Sequence, residues 1–140
     1  MNMTPTKTDY VFEADIDDFQ ETVIEASENQ VILVDFWADW CAPCKSFGPI
    51  FEKVSEDFPG AVFAKVDTQN EQEIASWFQI RSIPTLMIFR EKVIVFSQAG
   101  ALPEGALREV VNKAENLDME DVHKQVAQQQ AKKENQAPPA

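Results

Sequence analysis

Val31-Ile32-Leu33-Val34-Asp35-Phe36 is a near-continuous apolar run without the alternation of a half-buried strand. It predicts a central strand covered on both faces. Before it, Ile16, Phe19, Val23 and Ala26 recur at helical spacing among acidic residues. Asp15 stands where a carboxylate can accept from the free amides of that helix's first turn. After Trp40 the helical period returns. Phe47, Ile50, Phe51, Val54 and Phe58 lie three or four residues apart, Pro49 falls inside the helix as a kink, and Pro59-Gly60 ends it. Ala61 to Val66 predicts another strand, and Asn70 is placed to cap a short helix through Ile74, Ala75 and Phe78. Thr85–Phe89 and Val93–Phe96 flank Arg90-Glu91-Lys92 as a hairpin, though no Gly or Asn favours its turn. Pro103 suits the first position of a helix carrying Leu107, Val110, Val111 and Ala114 on one face. Tyr10-Val11-Phe12 adds a short edge strand.

The order β-α-β-α-β-α-β-β-α predicts an α/β fold with a mixed central sheet and helices on both faces. Residues 1–9 read as a flexible arm, 10–117 as the domain and 118–140 as an extension. In the extension Asp118 is placed to cap a helix over residues 118–128, with Met119, Val122 and Val126 on one stripe. Gln128-Gln129-Gln130 and Ala137-Pro138-Pro139 read as unstructured, and 133–140 as mobile. Three modest side chains bury little against the entropy of ordering such a segment, so tight docking is not expected.

Charge removes whole classes of function. The 140 residues hold 24 Asp and Glu against 12 Lys and Arg, a net charge of −12, with eight acids and one lysine in the first 28. Such a chain lacks the basic face of a nucleic-acid binder or of a polybasic membrane-surface protein. No apolar run approaches the roughly 20 residues needed to span a bilayer. The first ten residues lack the basic start, apolar stretch and cleavage site of a secretory signal. Two cysteines cannot form the multi-bridge framework of a small secreted domain. The cytoplasm is the expected location.

Trp40-Cys41-Ala42-Pro43-Cys44 joins the end of the buried strand to a helix. Two cysteines at this spacing can close a small disulfide ring. The first faces unpaired amides and the positive end of the helix dipole, which favours the attacking thiolate. The second lies one turn deeper, where it can resolve a mixed disulfide held on the first. The competing readings are two plain buried thiols and a zinc site; zinc needs about four ligands, and Cys41, Cys44 and the distant His123 fall short. Asp35 is costly to bury unless paired or protonated. Burial raises a carboxyl pKa, which suits a proton acceptor near neutral pH; otherwise Asp35 sits exposed at a strand edge. Lys65 is its cationic neighbour on the adjacent strand, or an ordinary surface lysine. Pro84 opens a strand, where giving up one ladder bond is tolerated, in either a cis or a trans bond.

Asp35-Phe36-Trp37-Ala38-Asp39-Trp40-Cys41-Ala42-Pro43-Cys44-Lys45 is followed in order by Pro49, Lys65-Val66-Asp67, Ile80-Arg81-Ser82-Ile83-Pro84-Thr85 and Gly100-Ala101-Leu102. Together these motifs resemble the thioredoxin family from about Tyr10 to Leu117. The resemblance implies a thioredoxin fold and a dithiol–disulfide oxidoreductase that reduces protein disulfides. It makes Cys41 the nucleophile and Cys44 the resolving thiol, with Asp35 and Lys65 managing the proton of Cys44. It places Trp40, Ala42 and Pro43 in the substrate groove with a cis Pro84, Ile83, Ala99 and Gly100. It implies no bound cofactor or metal, disulfide-containing client proteins, reduction by a flavoprotein thioredoxin reductase using NADPH, a monomer, and a part in electron transport and cell redox homeostasis. Family members with helical extensions that act as chaperone holdases or scaffolds supply the alternative reading. The chain departs from the family at Ala42, where Gly is usual. Ala favours helix by at most ~1 kcal/mol, some tens of millivolts for a two-electron couple. Ser46-Phe47-Gly48, the Arg90-Glu91-Lys92 turn and residues 118–140 also depart from the family pattern.

Overall fold

The central strand forms as its composition dictates. In the computed structural model, which describes residues 11–136, β2 spans Val31–Trp37 and is buried throughout except at Trp37. β1 (Val11–Glu13) and β3 (Ala61–Asp67) are parallel to it, with β3 pairing both neighbours. β4 (Thr85–Arg90) runs antiparallel to β2, and β5 (Val93–Ala99) antiparallel to β4. The five-stranded order is β1-β3-β2-β4-β5, the mixed sheet expected.

Alternate residues of β2 point into two cores. Val31 and Leu33 join Phe47, Phe51 and Val54 of α1 (Ala42–Ser55) and Leu107, Val111 and Ala114 of α3 (Glu104–Glu115). Ile32, Val34 and Phe36 face Phe19 and Val23 on the opposite side, beside Ile74 of α2 (Gln72–Trp77). Rings interlock within each core: Phe51 packs edge-on to Phe63 at 5.0 Å between centroids, and Phe19 meets Phe78 at 5.6 Å. By the same alternation Asp35 lies on the face covered by α1.

Several local expectations hold and others need correction. Asp15 accepts from the amides of Asp17 and Asp18, while Asp18 accepts from the amide of Asp15. The helical segment that follows is wound as a π-helix over Gln20–Glu25. Pro103 is the residue before the first turn of α3 rather than within it, and its carbonyl accepts from Leu107. Asn70 does not cap α2. Asp67 organises that turn by accepting from the amides of Gln69 and Asn70 and from the Asn70 side chain. The β4–β5 turn consists of Glu91 and Lys92 alone, both at positive φ. Non-glycine residues are strained there; both amides donate to Ser27, which anchors the turn.

The extension is more ordered than its composition suggested. Asp118 caps α4 (Met119–Gln136) by accepting from the amide of Asp121. The helix runs on through Gln128–Gln130, because Gln, Ala, Lys and Glu are all good helix formers. Met119 is buried, Val126 is exposed, and His123 pairs with Glu91 at 2.9 Å. Arg90 donates to the carbonyls of Ala114, Glu115 and Leu117, tying the end of α3 to the sheet. The expected arm at 1–9 and the Pro-rich end at 137–140 lie outside the described residues.

Candidate active site

The strand-to-helix junction after β2 delivers both cysteines. Cys41 is the N-cap of α1, with Ala42 and Pro43 in its first turn. Cys41 and Cys44 form a disulfide with their Cα atoms 5.3 Å apart. Cys41 Sγ also accepts from the Cys44 amide at 3.2 Å, so one of the helix's unpaired donors points at the first sulfur. The cysteines are equally covered at 4% exposure, so the contrast between an open Cys41 and an inner Cys44 is not seen in the disulfide form. The reason is the chain before β4, which brings the Ile83 carbonyl to 3.6 Å from Cys41 Sγ.

That chain is shaped by a cis Ile83–Pro84 bond. The Pro84 carbonyl accepts from the Gly100 amide at 2.8 Å, and Ala99 pairs with Thr85. Gly100 has φ 101°, a conformation open to glycine at little cost. Ile83 thus stands beside the disulfide, Ala99 and Gly100 are paired to the chain that follows it, and Ala42 and Pro43 are exposed in the first turn of α1. Trp40 is 71% exposed. It forms one wall of an open groove of about 620 Å³, with Thr68, Gln72, Arg81 and Ile83 among the other walls. The α2 side of this groove had no sequence signal, since its polar residues match any solvated helix.

On β2, the strand that leads into the motif, Asp35 is completely buried, and neither carboxylate oxygen has a hydrogen-bond partner among the described residues. Burial pushes its pKa up to about 7; Lys65 opposes the rise and Glu13 adds to it. Lys65 is the register partner of Asp35 on β3. Its ammonium lies over the Trp37 ring, 4.5 Å from the centroid, so it acts on Asp35 through space. Gly48 of α1 passes close to the lysine: a Cβ there would make an ordinary contact with Lys65 Nζ at 3.8 Å. An opening of about 220 Å³ lies between Trp37, Cys44, Gly48 and Lys65. No group of three or more His, Cys, Asp or Glu side chains suited to a metal occurs among the described residues. None of their helices is long and apolar enough to cross a membrane.

Comparison with known proteins agrees with this geometry. The family profile described as Thioredoxin matches residues 10–113. The chain is 55% identical over 115 residues to putative thioredoxin 2 of Streptomyces coelicolor, covering 82% of this chain and 84% of that protein. It is 42% identical over 85 residues to a thioredoxin of Mycoplasmoides gallisepticum, covering 61% and 85% respectively. The crystal structure of the short form of spinach chloroplast thioredoxin f superposes with a TM-score of 0.69 at 30% identity. That match covers 76% of this chain and 94% of that one.

Proposed function

The chain belongs to the thioredoxin family, and from that premise we propose how its site works. It is a dithiol–disulfide oxidoreductase, a reductase of disulfide-containing substrates. Cys41 is the attacking thiolate, Cys44 the resolving thiol, and Asp35 the proton acceptor. The observation that carries this reading is the Cys41–Cys44 disulfide at the start of α1, with the Ile83 carbonyl 3.6 Å from Cys41 Sγ, together with the buried, unpartnered carboxyl of Asp35 on the strand that leads into the motif.

The Cys41 thiolate attacks one sulfur of a client disulfide. A mixed disulfide forms and the other client sulfur leaves as a thiolate. The amide of Cys44 and the amino end of α1 stabilise the attacking charge. Cys44 then loses its proton to Asp35 and attacks Cys41 Sγ. The Cys41–Cys44 disulfide forms, and the second client sulfur leaves and takes up a proton. Two electrons have passed to the client. Lys65 holds its positive charge beside the ionised Asp35. Trp40, Ala42, Pro43, Ile83, Pro84, Ala99 and Gly100 hold the client strand against the disulfide.

We place the protein in the cytoplasm as a monomer in electron transport and redox homeostasis. A flavoprotein thioredoxin reductase returns Cys41 and Cys44 to the dithiol. Residues 10–117 are the catalytic unit, with 1–9 as an arm and 118–140 as an extension outside the chemistry. The holdase alternative is not favoured, because a purely binding module has no need of paired thiols. The test is insulin reduction with dithiothreitol. Catalysis by the wild type that is lost in Cys41→Ser is expected, and aggregation suppression without reductase activity would overturn the reading.

A further inference from the structure

Three strands bring three charged side chains to one line across the sheet. Glu13 on β1 is the register partner of Lys65 on β3, and Lys65 is the register partner of Asp35 on β2. The alternation of the two cores places all three on the face covered by α1. Trp37, two residues beyond Asp35, shares that face. Its indole lies over Lys65, and its Nε1–H donates to Glu13 Oε2 at 3.4 Å. Trp37 is also a wall common to two openings. One holds Cys44, Gly48 and Lys65; the other, of about 380 Å³, holds Glu13, Asp67 and Glu71.

We propose that Glu13 is a positioning residue for the dithiol chemistry, holding Trp37 over Lys65 and setting, by its charge, the pH at which Asp35 can take the proton of Cys44. This rests on the reading of Asp35 as that acceptor. Glu13 touches neither sulfur and acts through Lys65, Trp37 and the field at Asp35. A negative charge two strands away opposes ionisation of Asp35 and draws on the same lysine that favours it. The side chain is not merely a solvated strand end. Although the residue as a whole is exposed, its carboxyl is tucked beside Trp37. Burial raises its pKa, the Trp37 hydrogen bond and Lys65 oppose the rise, and Asp67 and Asp39 add to it.

Other charges face this line from each neighbouring element. β3 contributes Asp67, the loop after β2 contributes Asp39, and α1 presents Lys45 and Glu52 around the Cys44 opening. Asp15 and Glu71 border the Glu13 opening. Of the carboxylates among these, Glu13 is the one that raises Asp35 and also shares its lysine.

The size of the effect follows from geometry. Strands two apart are about 10 Å apart. Removing a unit charge at that distance moves a pKa by roughly 0.3 to 1 pH unit for effective dielectrics between water and a protein surface. The experiment mixes the reduced protein with a chromogenic aromatic disulfide and follows thiolate release by stopped flow from pH 5 to 9. The first phase reports attack by Cys41 and the second reports resolution by Cys44. Glu13→Gln keeps an acceptor for Trp37 and removes the charge. Its second-phase acid limb is expected to move to lower pH by roughly 0.3 to 1 unit, with the first phase unchanged and urea unfolding confirming the fold. Asp35→Asn, measured alongside, separates the two claims. An acid limb lost in Asp35→Asn but unmoved in Glu13→Gln overturns the role of Glu13 alone. A limb that survives in Asp35→Asn overturns the proton-acceptor reading and this inference with it.

Discussion

Replacing Asp35 with Asn should stabilise the protein most at alkaline pH and progressively less toward acid. The carboxyl is fully buried with both oxygens unpartnered, and its pKa rises from the ordinary 3.8 to about 7. A folded-state pKa above the unfolded value means that the folded chain binds the extra proton. Stability therefore falls as pH rises from about 4 to 7, with the full cost present above 7. At ~1.4 kcal/mol for each pH unit, that cost reaches about 4 kcal/mol. Asn has nearly the same shape and does not ionise, so it avoids the charge while keeping the core filled. With a urea slope of about 2 kcal/mol/M for a small domain, the midpoint of the disulfide form should rise by up to about 2 M at pH 8. The rise should be less than half of that at pH 5. Urea melts of both proteins at several pH values, followed by tryptophan fluorescence, make the comparison. A midpoint difference independent of pH, or a less stable variant at pH 8, would refute the assignment of a buried, raised carboxyl.

Phe51→Ala should cost about 3–5 kcal/mol, because Phe51 is fully buried between the rings of Phe47 and Phe63; a loss below about 1 kcal/mol in urea would contradict the packing described. Deleting residues 119–140 should leave insulin reduction within about twofold, since α4 lies beside β5 and pairs His123 with Glu91 of the β4–β5 turn, and should cost about 1.5–3 kcal/mol for uncovering the site of Met119. A large loss of reductase activity in that deletion would show that the extension shapes the site.

The sequence carries those parts of the fold that depend on neighbouring residues. The run 31–36 reads as a buried strand because both faces are apolar. The cysteine pair reads as chemistry because it follows that strand into a helix. What escapes the sequence depends on contacts between distant segments. Nothing local reveals that Glu13 meets Lys65, since the pairing joins two strands 52 residues apart and β1 is only three residues long. The Glu91-Lys92 turn lacks the residues that tolerate positive φ and is held instead by Ser27. Asn70 looks like a helix cap by residue type, but Asp67 at the end of β3 claims its side chain first. The Gln-rich stretch of the extension reads as low-complexity by composition, yet its residues have good helix propensity and follow an aspartate cap. The equal burial of the two cysteines was also not legible, because the Ile83–Pro84 backbone that covers Cys41 lies about forty residues away.

In the proposed cycle Cys41 attacks the client and Cys44 resolves the mixed disulfide. The most direct measurement is trapping. Reduced Cys44→Ser, Cys41→Ser and wild-type protein are each mixed with a disulfide-containing protein, quenched in acid and analysed by mass spectrometry under non-reducing conditions. A stable mixed disulfide linked through Cys41 is expected with Cys44→Ser, with no such adduct from Cys41→Ser and none persisting in the wild type. An adduct formed chiefly through Cys44 in the Cys41→Ser protein would contradict it.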